Sequence, residues 1–331
     1  MVNWGIVGLG RMSYKFINAI KELENTKLLG IASLTKKKSK ELIKESGIEE
    51  SFFFNNYNDL INSPNIDAIY IATLNNSHFE IIKECIKAQK KILCEKPMTL
   101  NYGEAKNIFE LINKNKATFL EAFVYRSHRQ SQTISNIIKG GEIGEIYKVE
   151  STFGYSVRKT DPNSRLFNKS FGGGAILDVG CYTTSFCLMI AKIIGEQSLS
   201  GIKVKNISGF IGKTGVDEYA KADLVFSKNL IMTIRTSLRE NLKNDCIIYG
   251  SKGKIILPWP WLPVQKSIID IYTGDRHYKQ FVNSKYTAYA QQINFFNKKY
   301  FNSEDNLLDT FMSNEESLIN MKILDTWRNR F

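Results

Sequence analysis

Six residues near the start of the sequence narrow the possible folds more than any other stretch. Gly8-Leu9-Gly10-Arg11-Met12-Ser13 follows the apolar run NWGIV and opens a helical pattern, so a strand must turn into a helix within a few residues. Gly8 permits the tight turn. Gly10 lets a pyrophosphate approach the backbone at the helix N-terminus, where amides and dipole favour an anion. Ser13 stands where a third Gly or Ala is usual, and its side chain is small enough for close helix–strand packing. A strand on one side and a helix on the other is the context that a dinucleotide fingerprint requires. An ordinary strand–turn–helix could carry the same residues, so the rest of the chain has to decide.

The first third alternates short aliphatic runs with helical periodicity, the signature of a parallel sheet with crossover helices. Strands are expected near 3–7, 27–33, 67–72, 91–95 and 117–120. Between them Phe16, Ile17, Ile20 and Leu23, and later Phe79, Ile82, Cys85 and Ile86, fall at helical spacing. Residues 1–122 therefore read as one doubly wound α/β (Rossmann) domain. A helix near 129–139 and the turn GGEIGE then lead into YKVESTFGYSV, whose alternation suits a sheet with one buried face. Several β-rich runs between 199 and 273 extend that pattern. A long helix is expected over 174–194, after three glycines, and two more near 288–302 and 312–329. Residues 123–331 thus read as an α+β domain with a large, mostly antiparallel open sheet.

Composition narrows the function classes. With 331 residues, 43% hydrophobic and 24% charged, the chain has the make-up of a globular protein of about two domains. No apolar run reaches the roughly 18–20 residues of a membrane helix; the stretch 186–195 is interrupted by Lys192. No export signal is seen at the N-terminus, and the five cysteines, at 85, 94, 181, 187 and 246, have no CxxC spacing. A reducing cytoplasm and no metal site are expected. The net charge of +12 comes with Lys, Ile and Asn abundant throughout, and the densest cluster (Lys36, Lys37, Lys38, Lys40) contains no aromatic residue to stack on bases. Neither nucleic acid nor membrane is an expected partner.

The end of the second strand bears on the choice of dinucleotide. An acidic group there would bind the ribose 2′-hydroxyl of NAD and repel the 2′-phosphate of NADP. Between Glu24 and Glu41 there is no carboxylate, and the strand runs into Ser33-Leu34-Thr35-Lys36-Lys37-Lys38. NADP is expected over NAD, with Ser33 and one of the lysines, represented by Lys37, on the phosphate and Arg11 assisting. Met12 and Thr73 are further expected cofactor contacts.

Two later segments strengthen the fingerprint: Cys94-Glu95-Lys96-Pro97 at a strand end, and Gly172-Gly173-Gly174-Ala175-Ile176-Leu177-Asp178-Val179-Gly180-Cys181-Tyr182. In an open parallel sheet ligands sit beyond the carboxyl ends of the strands, which places the Lys96 ammonium beside the nicotinamide. Removing hydride from an alcohol needs a group to take the hydroxyl proton, and a nearby cation eases the loss of that group's own proton. Tyr182 is the expected acid–base, provided Lys96 lies near it. Asp178, four residues before Tyr182, shares its helix face and would hold a substrate hydroxyl and pair with Lys96. Glu95 is expected to brace Lys96 or the cofactor.

Taken with the Asn75–His78 segment, ILCEKPMTLN, EAFVYRSH and GGEIGEI, these motifs make the chain resemble the glucose-fructose oxidoreductase / inositol dehydrogenase (Gfo/Idh/MocA) family over nearly its whole length. The resemblance implies hydride transfer at a sugar, cyclitol or diol carbon, a cis bond before Pro97, and a C-terminal sheet that makes homodimer or homotetramer contacts. It also places His78 near the nicotinamide ribose and His128 near the substrate cleft, with a structural role as the other reading of either histidine; Asn75 is expected as a cofactor contact. Tyr125 and Arg126 are expected either to line the cleft or to pack. Many family members have His where this chain has Tyr182. The Tyr form is similar to the branch of glucose-fructose oxidoreductase, dihydrodiol dehydrogenases and xylose dehydrogenases. A regulator that keeps the dinucleotide site without turnover, and an enzyme that shuttles hydride between two sugars on tightly held cofactor, are the alternatives. Trp259 and Trp261 are expected to be buried against the sheet in a proline-rich turn, with stacking on a sugar ring as the other role.

Overall fold

A computed structural model describes residues 1–34, 52–54, 56–196, 199–226, 230–304 and 310–330. The chain divides into two compact units. The first comprises Met1–Thr99, Gly103–Ala122 and Tyr289–Leu307; the second comprises Leu100–Tyr102, Phe123–Ala288 and Leu308–Phe331. A continuous second domain over 123–331 was the sequence expectation; residues 289–307 instead return to the first unit.

The first unit is a six-stranded parallel sheet, with β1 (Val2–Val7), β2 (Thr26–Ala32), β3 (Phe53–Phe54), β4 (Ala68–Ile71), β5 (Lys91–Cys94) and β6 (Phe119–Glu121) in the order β3-β2-β1-β4-β5-β6. β1 and β4 are buried almost without interruption, as strands covered on both faces must be. The crossovers include helices α1 (Arg11–Ile20), α2 (Tyr57–Ile61), α3 (Asn75–Lys87) and α4 (Tyr102–Asn115). Strand order reverses between β1 and β4, and the carboxyl ends on either side of that point form the ligand crevice of such sheets. The two-residue β3 is the one strand of this sheet that the sequence pattern did not show.

In the second unit, β7 (Ile146–Gly154) through β14 (Arg276–Asn283) form an eight-stranded sheet in the order β14-β13-β12-β11-β7-β10-β9-β8. The strands between are β8 (Lys203–Ile211), β9 (Asp217–Val225), β10 (Ile231–Ser237), β11 (Asp245–Gly250), β12 (Gly253–Pro258) and β13 (Lys266–Thr273). β7 and β10 pair in parallel and the other neighbours are antiparallel. β11 and β13 alternate buried and half-buried residues, so the sheet has one packed face. Helix α5 (Arg129–Lys139) packs on β13 and β14, and α6 (Cys181–Ile193) packs on β7 and β10. The helical stretch Lys169–Ile193 is long and apolar enough to cross a bilayer by composition alone, but its apolar window is wholly buried in the protein.

The last two helices are α7 (Ala288–Phe301) and α8 (Asn314–Arg328). α7 joins the first unit through aromatic packing: Phe296 meets the fully buried Trp4 with ring centroids 5.0 Å apart, and the Trp4 indole N–H donates to Asn297 Oδ1 at 3.2 Å. α8 opens on a capping box between Ser313 and Glu316 and packs against α6.

Candidate active site

In the first unit the expected cofactor residues lie at the carboxyl ends of adjacent strands. Backbone bonds stitch those ends together: Gly8 N donates to Ala32 O and Ala72 N to Val7 O, both at 2.9 Å, and Glu95 N donates to Ile71 O at 2.9 Å. Ser33 follows β2, Gly8 follows β1, Thr73 and Asn75 follow β4, and Glu95 and Lys96 follow β5. Gly8 has φ +96°, and a Cβ on it would lie 2.8 Å from the Ala72 carbonyl oxygen. Glycine is required there on both counts. A Cβ on Gly10 would meet nothing nearer than that same oxygen, at 3.6 Å, so the space above the α1 N-terminus is open to a ligand.

Ser13 does more than stay small. Its hydroxyl donates to Gly8 O at 2.9 Å and accepts from Gly10 N at 3.2 Å, closing the turn on itself. The first turn of α1 has no acidic residue, and Arg11 is exposed. This cradle fits the pyrophosphate of a dinucleotide. Lys37 lies outside the described residues.

Glu95 is buried and accepts from Tyr70 Oη at 2.5 Å, while the Tyr70 ring stacks on Phe16 at 4.0 Å. Nearby, the Tyr289 hydroxyl donates to Met12 Sδ at 3.3 Å, and Lys15 lies over the Tyr289 ring, 5.3 Å from its centroid. Burial and the Arg11 charge hold the Lys15 ammonium below its ordinary pKa, with Glu95 working the other way. Burial, reinforced by the Glu95 charge, pushes the Tyr289 phenol up. Glu95 and Met12 were expected here from their motifs, whereas Lys15, Tyr70 and Tyr289 belong to no motif and were not.

Lys96 is half-buried and joined to Pro97 by a cis peptide bond. His78 is fully buried on α3, with Nδ1 donating to Pro97 O at 3.0 Å. Burial lowers its pKa to about 4, so the imidazole is neutral. His78 therefore ties α3 to the segment after β5.

In the second unit Asp178 is buried, and both carboxylate oxygens are engaged. Oδ2 accepts from Tyr155 Oη in a short hydrogen bond, and Oδ1 pairs with Arg165 Nη1 at 2.7 Å. Arg165 keeps 45% of its side chain exposed. Neither partner was found from the sequence, since both lie on the irregular segment between β7 and the glycines. Ile176–Gly180 is wound as a π-helix that runs directly into α6, so Asp178 and Tyr182 are separated by a widened turn.

Tyr182 sits in the first turn of α6 among Phe123, Tyr125, Phe153 and Trp261, with ring centroids between 5.4 and 6.1 Å away. Trp261 is fully buried, stacks on Phe153 at 5.3 Å and donates its indole N–H to Thr152 O at 3.0 Å. Trp259, also expected to be buried, is 57% exposed. Trp259 follows β12 in the left-handed region, at φ 54°, and this turn rather than a strand sends the two indoles to different environments.

The YRSH segment is structural in its contacts. Arg126, expected in the cleft or in packing, is 1% exposed; it pairs with Glu316 at 2.8 Å and donates to the carbonyls of Thr310 and Ser185. The Tyr125 hydroxyl meets Ser185 Oγ at 2.5 Å. His128 caps α5, its Nδ1 accepting from Gln130 N at 3.1 Å, and burial lowers its pKa to about 4. Its Nε2 is buried with no hydrogen-bond partner among the described residues. Among those residues no group of three or more His, Cys, Asp or Glu could hold a metal ion, and all five cysteines are buried free thiols.

Comparison with known proteins agrees with this layout. Residues 2–123 match the family model "Oxidoreductase family, NAD-binding Rossmann fold", and residues 131–256 match "GFO/IDH/MocA C-terminal domain". The chain is 28% identical over 257 residues to trans-1,2-dihydrobenzene-1,2-diol dehydrogenase of Xenopus tropicalis, covering 77% of this chain and 74% of that one. Against the Danio rerio protein of the same name it is 27% identical over 277 residues, covering 82% and 79%. Two solved structures share the fold. A 3-ketoreductase from Actinomadura kijaniata in complex with NADP and TDP-benzene has 20% identity and a TM-score of 0.85, over 99% of this chain and 97% of that one. The aldose-aldose oxidoreductase of Caulobacter crescentus has 18% identity and a TM-score of 0.86, over 99% and 96%.

Proposed function

The chain belongs to the GFO/IDH/MocA oxidoreductase family and binds a nicotinamide dinucleotide on its Rossmann unit, and on that premise we propose that it is an NADP(H)-preferring dehydrogenase or reductase acting on a CH–OH carbon of a sugar, cyclitol or diol. The observation that carries this reading is the buried Asp178 carboxylate, held by Tyr155 and Arg165 one helical turn before Tyr182. A fixed carboxylate is suited to accept from a substrate hydroxyl, and a phenol to exchange the proton of the reacting one. The preference for NADP rests on the stretch after β2, which offers Ser33 and lysines where NAD enzymes place a carboxylate. The names of the relatives, a diol dehydrogenase and an aldose oxidoreductase, support a CH–OH substrate.

The nicotinamide, when bound, supplies or takes the hydride at C4. Gly8, Gly10 and Ser13 shape the pyrophosphate cradle, and Arg11, Met12, Thr73, Asn75 and Glu95 border it. Lys96 Nζ contributes positive charge at the β5 end. Tyr182 Oη moves the hydroxyl proton, and the four rings around it fix its orientation and keep water from its flanks. Asp178 orients the substrate. His78 acts by seating the Lys96–Pro97 turn, and Tyr125, Arg126 and His128 act by fixing the segment beside Tyr182. A homodimer or homotetramer would form through exposed β14, where Phe281 and Tyr278 are uncovered, and buried free thiols suit a reducing cytoplasm.

A panel of aldoses, inositols, diols and ketosugars with NADP(H) and NAD(H), followed by nicotinamide absorbance, tests the reading. Lys96→Met is expected to bind NADPH and to lose turnover; intact turnover would overturn the mechanism. Equal KM values for the two dinucleotides would remove the preference. NADPH binding with no turnover on any substrate would favour a regulator. Cofactor that survives gel filtration would favour sugar–sugar exchange, the activity that the Caulobacter protein's name describes.

A further inference from the structure

Two carboxylates outside the predicted site stand side by side at the start of β9. Asp217 and Glu218 are each 2% exposed, and both are delivered by the β8–β9 hairpin, which turns through Gly212 and Gly215. Buried carboxylates are costly unless their neighbours engage them. Here each reaches a different half of the Asp178 cluster.

Asp217 Oδ2 accepts from Ile176 N at 2.7 Å, at the first residue of the π-helix that holds Asp178. Gly174, at φ +113°, makes that approach feasible, because a Cβ there would lie 2.3 Å from Asp217 Oδ1. Thr236 Oγ1 donates to Ala175 O at 3.1 Å and completes the seat of the helix start.

Glu218 Oε2 takes a short hydrogen bond from Arg239 Nε. The same guanidinium donates from Nη2 to Thr160 Oγ1 at 2.6 Å and from Nη1 to Val157 O at 3.4 Å, and it lies over the Phe167 ring, 5.1 Å from the centroid. These contacts clasp the segment from Tyr155 to Phe167, which presents Tyr155 and Arg165 to Asp178. Beneath it Phe167, Ala175, Val216 and Leu238 form a small separate core. Glycine is again needed for the approach: a Cβ on Gly212 would fall 2.0 Å from Glu218 Oε1.

We propose that Asp217 and Glu218 are the positioning residues of the Asp178 site. Asp217 seats the helical start that carries Asp178 and Tyr182, and Glu218, through Arg239, seats the loop that brings Tyr155 and Arg165 to Asp178. The inference rests on the reading of Asp178 as the substrate-orienting group. Burial pushes the Asp217 carboxyl up to about 6, so at neutral pH it is ionised against its own desolvation, as a residue kept for geometry would be.

Asp178→Asn, Asp217→Asn and Glu218→Gln test this in the full chain, each assayed for NADPH affinity by fluorescence, for melting temperature, and for kcat and KM with the best substrate of the panel. All three are expected to bind NADPH like the parent. Asp217→Asn is expected to keep the parent melting temperature or exceed it, Glu218→Gln to lower it through the lost charge on the Arg239 pair while remaining folded, and both to lose about 10- to 100-fold in kcat, as displaced catalytic groups do. An inactive Asp178→Asn beside fully active Asp217→Asn and Glu218→Gln would overturn the positioning role and leave the site reading standing. A fully active Asp178→Asn would overturn the site reading itself.

Thr160→Val and Thr236→Val remove one hydrogen bond from each seat without stranding a buried charge, and they decide the matter if a carboxylate variant fails to fold. Lower kcat at normal melting temperature supports the corresponding half; unchanged kcat overturns it. Crystal structures of the folded variants give a reading independent of activity. Loss of the Arg165–Asp178 pair in Glu218→Gln supports the proposal, and an unchanged pair overturns it.

Discussion

The cradle after β1 and the cluster around Asp178 are built by opposite means. The cradle is made of backbone: a glycine at positive φ, strand-end amides in register, and a serine bonded to residues three and five positions before it. The Asp178 cluster is made of side chains drawn from far apart, with Tyr155 at 23 residues and Asp217 at 41 from the groups they meet. Backbone construction leaves a local signature, because only certain residues can occupy the special conformations. Side-chain construction leaves little, because each partner alone looks like an ordinary polar residue.

The largest effect that separates the two regions should come from Arg126→Met, which leaves Glu316 buried and deprived of its main partner. A loss of about 3–5 kcal/mol is expected, read by urea unfolding. NADPH affinity of the remaining folded protein should be unchanged; a parallel loss of affinity would break the separation.

The two buried histidines should respond to acid alike. His78 and His128 are both held neutral by burial, at about 4 against an ordinary 6.5. Their stabilisation is complete above pH 6.5 and is lost as pH falls toward 4, because the unfolded chain takes up protons first. Each should contribute on the order of 3 kcal/mol of loss, so His78→Asn and His128→Asn should each flatten the acid limb of a melting-temperature profile. Asp217 has the opposite sign. Raised from 3.8 to about 6, it costs stability as pH climbs through that window, so Asp217→Asn should gain up to about 3 kcal/mol at pH 7.

The finest test sets two glycines against each other. Gly8→Ala and Gly174→Ala both force a Cβ into an occupied position at positive φ, with about 1–3 kcal/mol of strain. For Gly8→Ala this should appear as a 10- to 100-fold weaker NADPH affinity, measured by titration. For Gly174→Ala it should appear in turnover with NADPH affinity intact. If both variants lost affinity alike, the contrast between the regions would fail.

The same contrast explains what could be read in advance. Five of the six parallel strands, the helix over 174–194 and both final helices were legible, because runs of Ile, Val and Leu and their periodicity report burial directly. β3 was not, since two phenylalanines carry no period. The return of 289–307 to the first unit was hidden as well: an apolar helix face records that it is covered, and contacts such as Trp4–Phe296 and Trp4–Asn297 say by what. Among site residues, Gly8, Gly10, Glu95 and Asp178 could be picked out by motif. Lys15, Tyr70, Tyr155, Arg165, Asp217 and Glu218 could not, since their meaning depends on pairings between distant stretches of chain.

Because the chain passes between its units after residues 99, 102, 122, 288 and 307, no single cut separates them. A fragment stopping at 122 would leave out α7, with the Trp4 indole stripped of Phe296 and of the acceptor on Asn297. Recombination that exchanged substrate-binding halves between relatives would therefore have to splice at several joints at once, so the natural unit of inheritance here is the whole polypeptide.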